Sequence, residues 1–442
     1  MEAVKRYAAM KDSGVEWIGE IPASWKIIRL KYLFSIKKDI AGELGYTVLS
    51  VTQKGILPKK MDDKGQFSLD YSKYQKVHAG EYVMNHMDLL TGWIDISQYS
   101  GVTSPDYRVF YKTSCDIDTV FYKYFFQFCY SGRVFYGLGQ GVAGFGRWRL
   151  PSDMFLNFQL PVPPLHEQNA IASYLDEKCS AIDDIIASAR ASIDDYKQLK
   201  ASTIYEAVTK GLNHDVEMKE SGVEWIGKIP RTWTTLKIKH LASNEPRSFI
   251  DGDWINAPEI TSDGIRYFTT GNIGQGFFKE QGNGYISEET FLRLDCTEVH
   301  AGDLIISRLN TPVGRACIIP KKYAKCIVAV DNVVLRPSDN YSKTFLMYSM
   351  SSDRYSEFTQ LLARGTTMQR ISRTQLGNVF LPIPPLSEQQ AIADYLDTRC
   401  AEIDSLIAEK EALIADLEAY KKSLIYECVT GKRRVTEDSH AA

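Results

Sequence analysis

The chain has 442 residues, of which 44% are hydrophobic and 24% charged, with a formal net charge of −3. That length predicts roughly three domains with ample core, and no apolar run approaches the ~18 residues of a membrane-spanning helix. The opening MEAVKRYAAMKDSG lacks the apolar stretch of a secretory signal, so the expectation is a cytoplasmic protein with no membrane partner.

Eight cysteines, at 115, 129, 179, 296, 317, 326, 400 and 428, form no CxxC pair and no metal-like spacing. Cys179 and Cys400 recur at matching positions of a repeat and are expected to act as small buried hydrophobes.

In chain order, the first element is half of a repeat. KDSGVEWIGEIPASWKIIRLKYL at 11–33 returns as KESGVEWIGKIPRTWTTLKIKHL at 219–241, and LPVPPLHEQNAIASYLDEKCSAIDDII at 160–186 returns as LPIPPLSEQQAIADYLDTRCAEIDSLI at 381–407. The offsets are 208 and 221, so the second intervening segment is longer by 221 − 208 = 13 residues. Two copies of one plan carry two individual inserts.

The first insert holds short Val-, Tyr- and Phe-rich runs bounded by turn residues, at 46–51, 81–86 and 107–111, which predict strands. A helix is predicted around 121–132. GQGVAG at 139–144 has the GxGxxG form, but Pro151 follows closely with no helix pattern between, so a glycine loop is expected in place of a nucleotide site.

After the paired prolines of LPVPP, which forbid regular helix, one uninterrupted helix is predicted from His166 to about Lys210. Ala172, Leu175, Cys179, Ile182, Ile186, Ala189, Ile193 and Tyr196 alternate steps of three and four, the seam of a coiled coil. About 40 residues at ~1.5 Å each give a rod of about 60 Å, whose narrow stripe needs a partner. The natural partner is the second copy, where Ala393, Leu396, Cys400, Ile403, Ile407, Ile414 and Leu417 keep the register and Lys410 replaces the small residue. Glu167, Gln168, Glu388 and Gln389 are expected in the first helical turn, favoured by the dipole.

The second insert predicts strands at 265–270, 304–309, 316–320 and 332–337 and one helix at 345–358. HAGEYVMNHM at 78–87 answers HAGDLIISRL at 300–309, a turn feeding a strand, with Gly80 and Gly302 supplying the turn backbone. The expected fold class is α+β: two mixed α/β domains in a pseudo-two-fold repeat, with two long antiparallel helices forming a coiled coil. Expected boundaries are 1–159 and 213–380 for the globular domains, 160–212 and 381–434 for the helical segments, and 435–442 for a polar tail.

Charge segregates along this plan. Residues 26–160 carry 17 Lys+Arg against 12 Asp+Glu and 231–380 carry 18 against 15, whereas the helical block 166–206 carries 4 against 8. Basic inserts on acidic supports are the sign expected if the inserts face phosphates and the helices face something else, and a solvated surface explains so small an excess about equally well. No GxxxxGK[ST] loop, HExxH motif or Asn/Asp-Pro-Pro-aromatic tetrapeptide occurs and the seven histidines do not cluster, so no catalytic residue and no metal ligand is assigned.

The doubled LPxPPLxEQxAIAxYLD entry (Leu160–Gln168 and Leu381–Gln389), the HAG-acid turn and the SGVEWIGxIPxxW opening at 13–25 and 221–233 resemble the DNA specificity subunit of type I restriction-modification systems. The resemblance spans nearly the whole chain. It implies two target recognition domains, each reading one half of an asymmetric bipartite site on double-stranded DNA, with the helices setting the spacer. It also implies two methyltransferase subunits docked largely on the helices, and restriction/translocase subunits joining them. Adenine N6 methylation and cleavage would belong to those partners, with S-adenosylmethionine, ATP and Mg bound there and no cofactor on this chain. The expected DNA-contacting residues are Thr52, Gln53, Lys54, Asn85, His86, Arg147 and Arg149 in the first domain. In the second they are Thr270, Asn272, Arg308, Asn310, Thr367, Gln369 and Arg370, all loop residues able to reach base edges or phosphates. Arg149 and Arg370, aligned by the 221 offset, are expected on phosphates. The alternative is a coiled-coil adaptor whose globular domains bind proteins, which salt-sensitive DNA binding would distinguish.

Overall fold

The computed structural model describes residues 5–59, 70–141 and 148–435. It divides into two compact units, one of Met1–Ala189 with Ala412–Ala442, the other of Arg190–Glu411. Each unit therefore combines one variable segment with part of both long helices.

Those helices are Leu165–Lys210 and Leu386–Val429. They run antiparallel, with Asp183 paired to Lys421 in the first unit and Lys200 to Asp404 in the second. The apolar stripe read from the sequence is buried where it meets a globule. Leu175, Cys179, Ile182 and Ile186 share a core with Leu424, Cys428 and Val429, and Ile204, Ala207 and Val208 share one with Ala393, Leu396 and Cys400. Burial pushes the Cys179 thiol up to about 11 and raises that of Cys400, as expected of inert interior cysteines. Further along the second helix, Ile407, Ile414 and Leu417 are only half-buried.

The two globules share one sheet plan. In the first unit an antiparallel sheet runs in the order Phe34–Lys37, Arg108–Lys112, Tyr82–Met84, Ile94–Ile96. In the second the order is Phe249–Asp251, Asn332–Leu335, Leu304–Ser307, Ala316–Ile318. The turns before the third-listed strands have Gly80 at φ 91° and Gly302 at φ 83°, the left-handed backbone that glycine allows without a Cβ clash. Glu81 and Asp303 close these turns by accepting the backbone N–H of His78 and His300. The LPVP and LPIP segments are strands, Gln159–Val162 and Phe380–Ile383, paired with Lys26–Arg29 and Thr234–Lys237. They belong to the globules they close.

Two differences from the sequence expectation have local causes. The single helix foreseen at 345–358 is two, Lys343–Ser349 and Asp353–Leu362. Hydroxyls of Ser349, Ser351 and Ser352 donate to the carbonyls of Phe345, Met347 and Ser349, the side-chain competition that ends a helix. The second unit also carries a small extra layer, in which Ile265–Phe268 pairs with Tyr285–Ile286 and, in parallel, with Cys326–Val328. Its own core includes Ile265, Ile286, Phe291, Cys296 and Ile327.

Candidate nucleic-acid interface

The repeated motifs build a latch between each globule and its helix. Glu167 accepts the indole N–H of fully buried Trp25 at 3.0 Å, and Glu388 accepts that of Trp233 at the same distance. The next residue completes it. Gln168 accepts the backbone N–H of Asp118, the N-cap of helix Thr119–Ser131, and donates to the carbonyls of Asp116 and Pro163. Gln389 does the same with Ser342, Asn340 and Pro384. The dipole expectation for these glutamates and glutamines was thus incomplete. They fix the globule's orientation on the helix start, and the EQ dipeptide must recur because each globule needs it.

Away from the latch, the second unit gathers three loops: 270–273, 308–314 and 364–370. Buried Arg315 joins the first two, with Nε donating to the carbonyl of Ile273, Nη2 to Thr270, and Nη1 to Leu309, Asn310 and Pro312 at 2.6–3.1 Å. The third loop is tied in by backbone bonds between Ile371 and Arg308 and from Asn310 to Gln369, and by the Thr311 hydroxyl donating to Gln369 Oε1 at 2.8 Å. Asn310 holds φ 61° and, with Thr367 and Arg370, is exposed on this surface.

Beneath it lies an ion cluster. Arg308, 4% exposed, pairs with Asp251 at 3.0 Å and donates to the carbonyls of Ile371 and Val330. Arg370 pairs with Asp331 at 2.6 Å and Arg373 with Asp251 at 3.5 Å. Burial depresses the Arg308 pKa, opposed by Asp251. The guanidinium remains a cation because its reference value is so high.

The first unit has the corresponding loops in a different dress. The backbone of His86 accepts from Leu150 as Arg308 accepts from Ile371, so His86 and Arg308 are equivalent positions. Here the arginine comes from a neighbouring strand: Arg108, 3% exposed, donates to the carbonyl of Leu150 at 2.9 Å and stacks over Phe155. His86 sits half-buried beside Arg108 and Arg149, and its pKa is lowered to about 4, first by burial and then by those cations. Arg149 is exposed, bridged through its backbone to Gln140.

Several residues expected on DNA are placed otherwise. Asn272 is 2% exposed, its amide committed to Thr269, Lys279 and Gln281, and Arg308 is interior as described, so neither side chain stands free on the loop surface. Burial beside Arg108 and Arg149 favours the uncharged imidazole of His86 in the free chain. The Thr52 hydroxyl donates to Gly55 and accepts from Lys54, closing a hairpin that leaves Gln53 and Lys54 exposed at its tip. Asn85 uses its Oδ1 on the Met87 N–H. Thr270 contributes its carbonyl to Arg315, and Gln369 accepts from both Thr311 and Gln360. Arg147 lies outside the described residues, as do Val142, Ala143 and Gly144 of the GQGVAG loop and residues 436–442 of the tail.

Sequence reasoning passed over Arg315, Arg108, Asp331 and Asp251. Arg315 had a usable signal, since an arginine opening a strand in GRACII is an anomaly in an apolar run. Asp251 and Asp331 had none, because their partners are distant in sequence.

Two globules of one plan, each latched to an antiparallel helix pair and each presenting loops at matching strand ends, define a duplicated recognition protein. Residues 230–415 match the family model described as type I restriction modification DNA specificity domain. The MjaVIII specificity subunit of Methanocaldococcus jannaschii, a type I restriction enzyme component, is 24% identical over 94% of both chains. The EcoKI specificity subunit of Escherichia coli K12 is 31% identical over 22% of this chain and 21% of its own. Among solved structures, one from work on assembly and conformational transition of the type I system covers 92% of this chain and 98% of its own, with TM-score 0.70 at 15% identity. The HsdS subunit of Thermoanaerobacter tengcongensis covers 93% of this chain and 98% of its own, with TM-score 0.52 at 15% identity. Residues 230–415 thus match the type I restriction modification DNA specificity domain, and the chain is similar over most of its length to a type I specificity subunit.

Proposed function

We propose that this chain reads DNA sequence for a type I restriction-modification complex, each globule recognising one half of an asymmetric bipartite site. The observation that carries this is the pairing of a repeated latch with unlike loops. Position 86 is a neutral histidine in one copy and the equivalent 308 a buried arginine in the other, so one scaffold supports two different readers. Base contacts fall to Gln53, Lys54, Asn310 and Thr367, whose side chains stand exposed on loops, while Arg149 and Arg370 hold phosphates and set the register.

The helix pair fixes the unread gap and, being acidic, docks two methyltransferase subunits, to which restriction/translocase subunits are added. Base methylation requires the adenine to leave the stack, so the readers grip the duplex while a partner holding S-adenosylmethionine performs the transfer, and ATP with Mg serves the nuclease. This chain contributes recognition without catalysis.

The test is genome-wide adenine methylation mapping in a host free of its own systems, expressing this chain with its methyltransferase subunit and the subunit alone. A split, asymmetric motif that needs both is the expected result. An assembled, active complex without such a motif would point to the protein-binding adaptor.

A further inference from the structure

The strand Asn332–Leu335 begins with an anomaly. Val333, Val334 and Leu335 are apolar and fully buried, as an interior strand requires. Asn332 is 0% exposed as well, yet neither Nδ2 nor Oδ1 of its amide has a protein partner among the described residues. A buried amide without hydrogen bonds destabilises the fold, and valine in its place would not. The sheet plan does not demand asparagine either. Tyr82 and Leu304, at matching places after the two HAG turns, lie opposite Phe110 and Leu335, so the first unit has the half-buried Tyr107 at the position of Asn332.

Around the amide lie the roots of the reading loops. Ser307 is opposite Asn332, and its N–H donates to the carbonyl of Arg315, just ahead of the next strand. The three residues form one row across the sheet, on the face where Val334 meets the core of Phe268, Ile273 and Ile305. In that row the Ser307 hydroxyl donates to the carbonyl of Leu309, and Arg315 holds carbonyls of the loops at 270–273 and 308–314. The backbone N–H of Asn332 donates to Ala329, whose own N–H donates to Phe268 ahead of the first loop. Neighbouring Asp331 accepts the N–H of Arg308 and pairs with Arg370 of the loop at 364–370. All three loops are therefore tied to the chain around Asn332.

We propose that Asn332 is a positioning residue of the second reader, its amide binding one internal water as both donor and acceptor and so fixing the three loops relative to one another. Internal waters settle where buried polar groups lack protein partners, and a satisfied polar cluster in an apolar setting favours one arrangement of the chain over its neighbours. A reading surface needs that single arrangement, because base contacts tolerate little displacement of the groups that make them. Asn332 then gives the second reader definition and not stability, which explains an amide where valine would pack. The proposal rests on the DNA-reading function set out above.

The test compares Asn332→Val with Asn332→Thr, which has the same shape but keeps a hydroxyl able to donate and accept. The full chain is assembled with its methyltransferase subunit, its motif is mapped, and methylation rates are measured on duplexes carrying single substitutions in either half-site. Asn332→Val is expected to lower discrimination in the second unit's half-site by about tenfold, to leave the other half unchanged, and to keep or raise the melting temperature of the free chain. Asn332→Thr is expected to retain most of the discrimination, and crystals of the wild-type chain to show an ordered water on both amide atoms of Asn332. Unchanged discrimination in Asn332→Val overturns the inference, as does a lowered melting temperature, an equal loss in both half-sites, or a wild-type amide that binds no water. A clear split motif with unchanged discrimination refutes the positioning role alone, whereas an active wild-type complex that yields no motif refutes the DNA-reading function, and the proposal falls with it.

Discussion

Lys421 Nζ lies 2.6 Å from Asp183, and the 221-residue offset turns this pair into Lys200 and Asp404, which lie 2.7 Å apart. One interaction has been duplicated with the roles of the two helices exchanged, one copy within each unit. Both pairs are substantially solvated, with the aspartates 58% and 56% exposed, so each contributes less than about 1 kcal/mol. Lys421→Glu is expected to lower stability by about that amount in urea unfolding, and Asp183→Lys combined with Lys421→Asp to restore most of it. A loss of several kcal/mol from the single change would assign the pair a structural role that its exposure contradicts.

The latch is chemically unequal in its two copies. Glu167 accepts from Trp25 and also from the Tyr7 hydroxyl at 2.8 Å, whereas Glu388 has Trp233 as its side-chain donor among the described residues. Replacing either tryptophan by phenylalanine removes one hydrogen bond to a carboxylate, worth about 1.5–3 kcal/mol, and leaves a cavity at the ring edge. Trp233→Phe is expected to destabilise its unit more than Trp25→Phe does the other, because Tyr7 still satisfies Glu167. Hydrogen exchange read separately over the two units is the measurement, and equal losses would count against the latch as drawn.

Arg315 supports loops at which DNA is expected to bind, yet it is itself 8% exposed and bonded to five carbonyls. Arg315→Lys supplies at most three donors in another geometry, so the loops at 270–273 and 308–314 lose their common anchor. The expected outcome is relaxed discrimination in the half-site read by the second unit with the other half unchanged, seen in methylation maps. Relaxation of both halves would show that the unit's fold, and not its loops, had failed.

How much of this was legible beforehand depended on the reach of the interactions. The helix Leu165–Lys210, the strand at Leu304–Ser307 and the glycines at 80 and 302 follow from periodicity and local backbone demands, and the sequence carries those openly. Asn272 and Arg308 look in sequence like loop readers, because a polar residue near a turn has the same signature whether it faces solvent or satisfies buried carbonyls. For Arg308 the burial is decided far along the chain, by Asp251 and Ile371, whereas for Asn272 it is decided by how the following loop folds back to bring the carbonyls of Lys279 and Gln281 onto its amide. The latch was visible as a repeated motif, while its chemistry, an indole donating to a carboxylate 142 residues away, was not.

His86 gives the first unit a pH dependence of definite sign. Its pKa falls from 6.5 in the unfolded chain to about 4 in the fold, so between those values the unfolded state binds more protons and stability rises with pH. The contribution is complete above about pH 6.5 and is lost as pH falls toward 4. His86→Gln is expected to flatten this part of the stability curve, measured by thermal unfolding from pH 4 to 7. A slope that persists unchanged in the variant would assign it to another group.

Arg149 and Arg370 occupy equivalent positions but start from different states. Arg370 is paired with Asp331 at 2.6 Å, whereas Arg149 is exposed with no carboxylate at ion-pair distance among the described residues. A phosphate approaching Arg370 competes with, or shares, that carboxylate; one approaching Arg149 does not. Arg149→Ala is therefore expected to weaken DNA binding more than Arg370→Ala, with each lowering the salt slope by about one and neither changing the recognised bases. Asp331→Asn should raise affinity, because it frees Arg370 and removes a negative charge from the phosphate's neighbourhood. Titrations at several salt concentrations with a cognate and a scrambled duplex measure all three, and an altered base preference in Arg370→Ala would move that residue from positioning to reading.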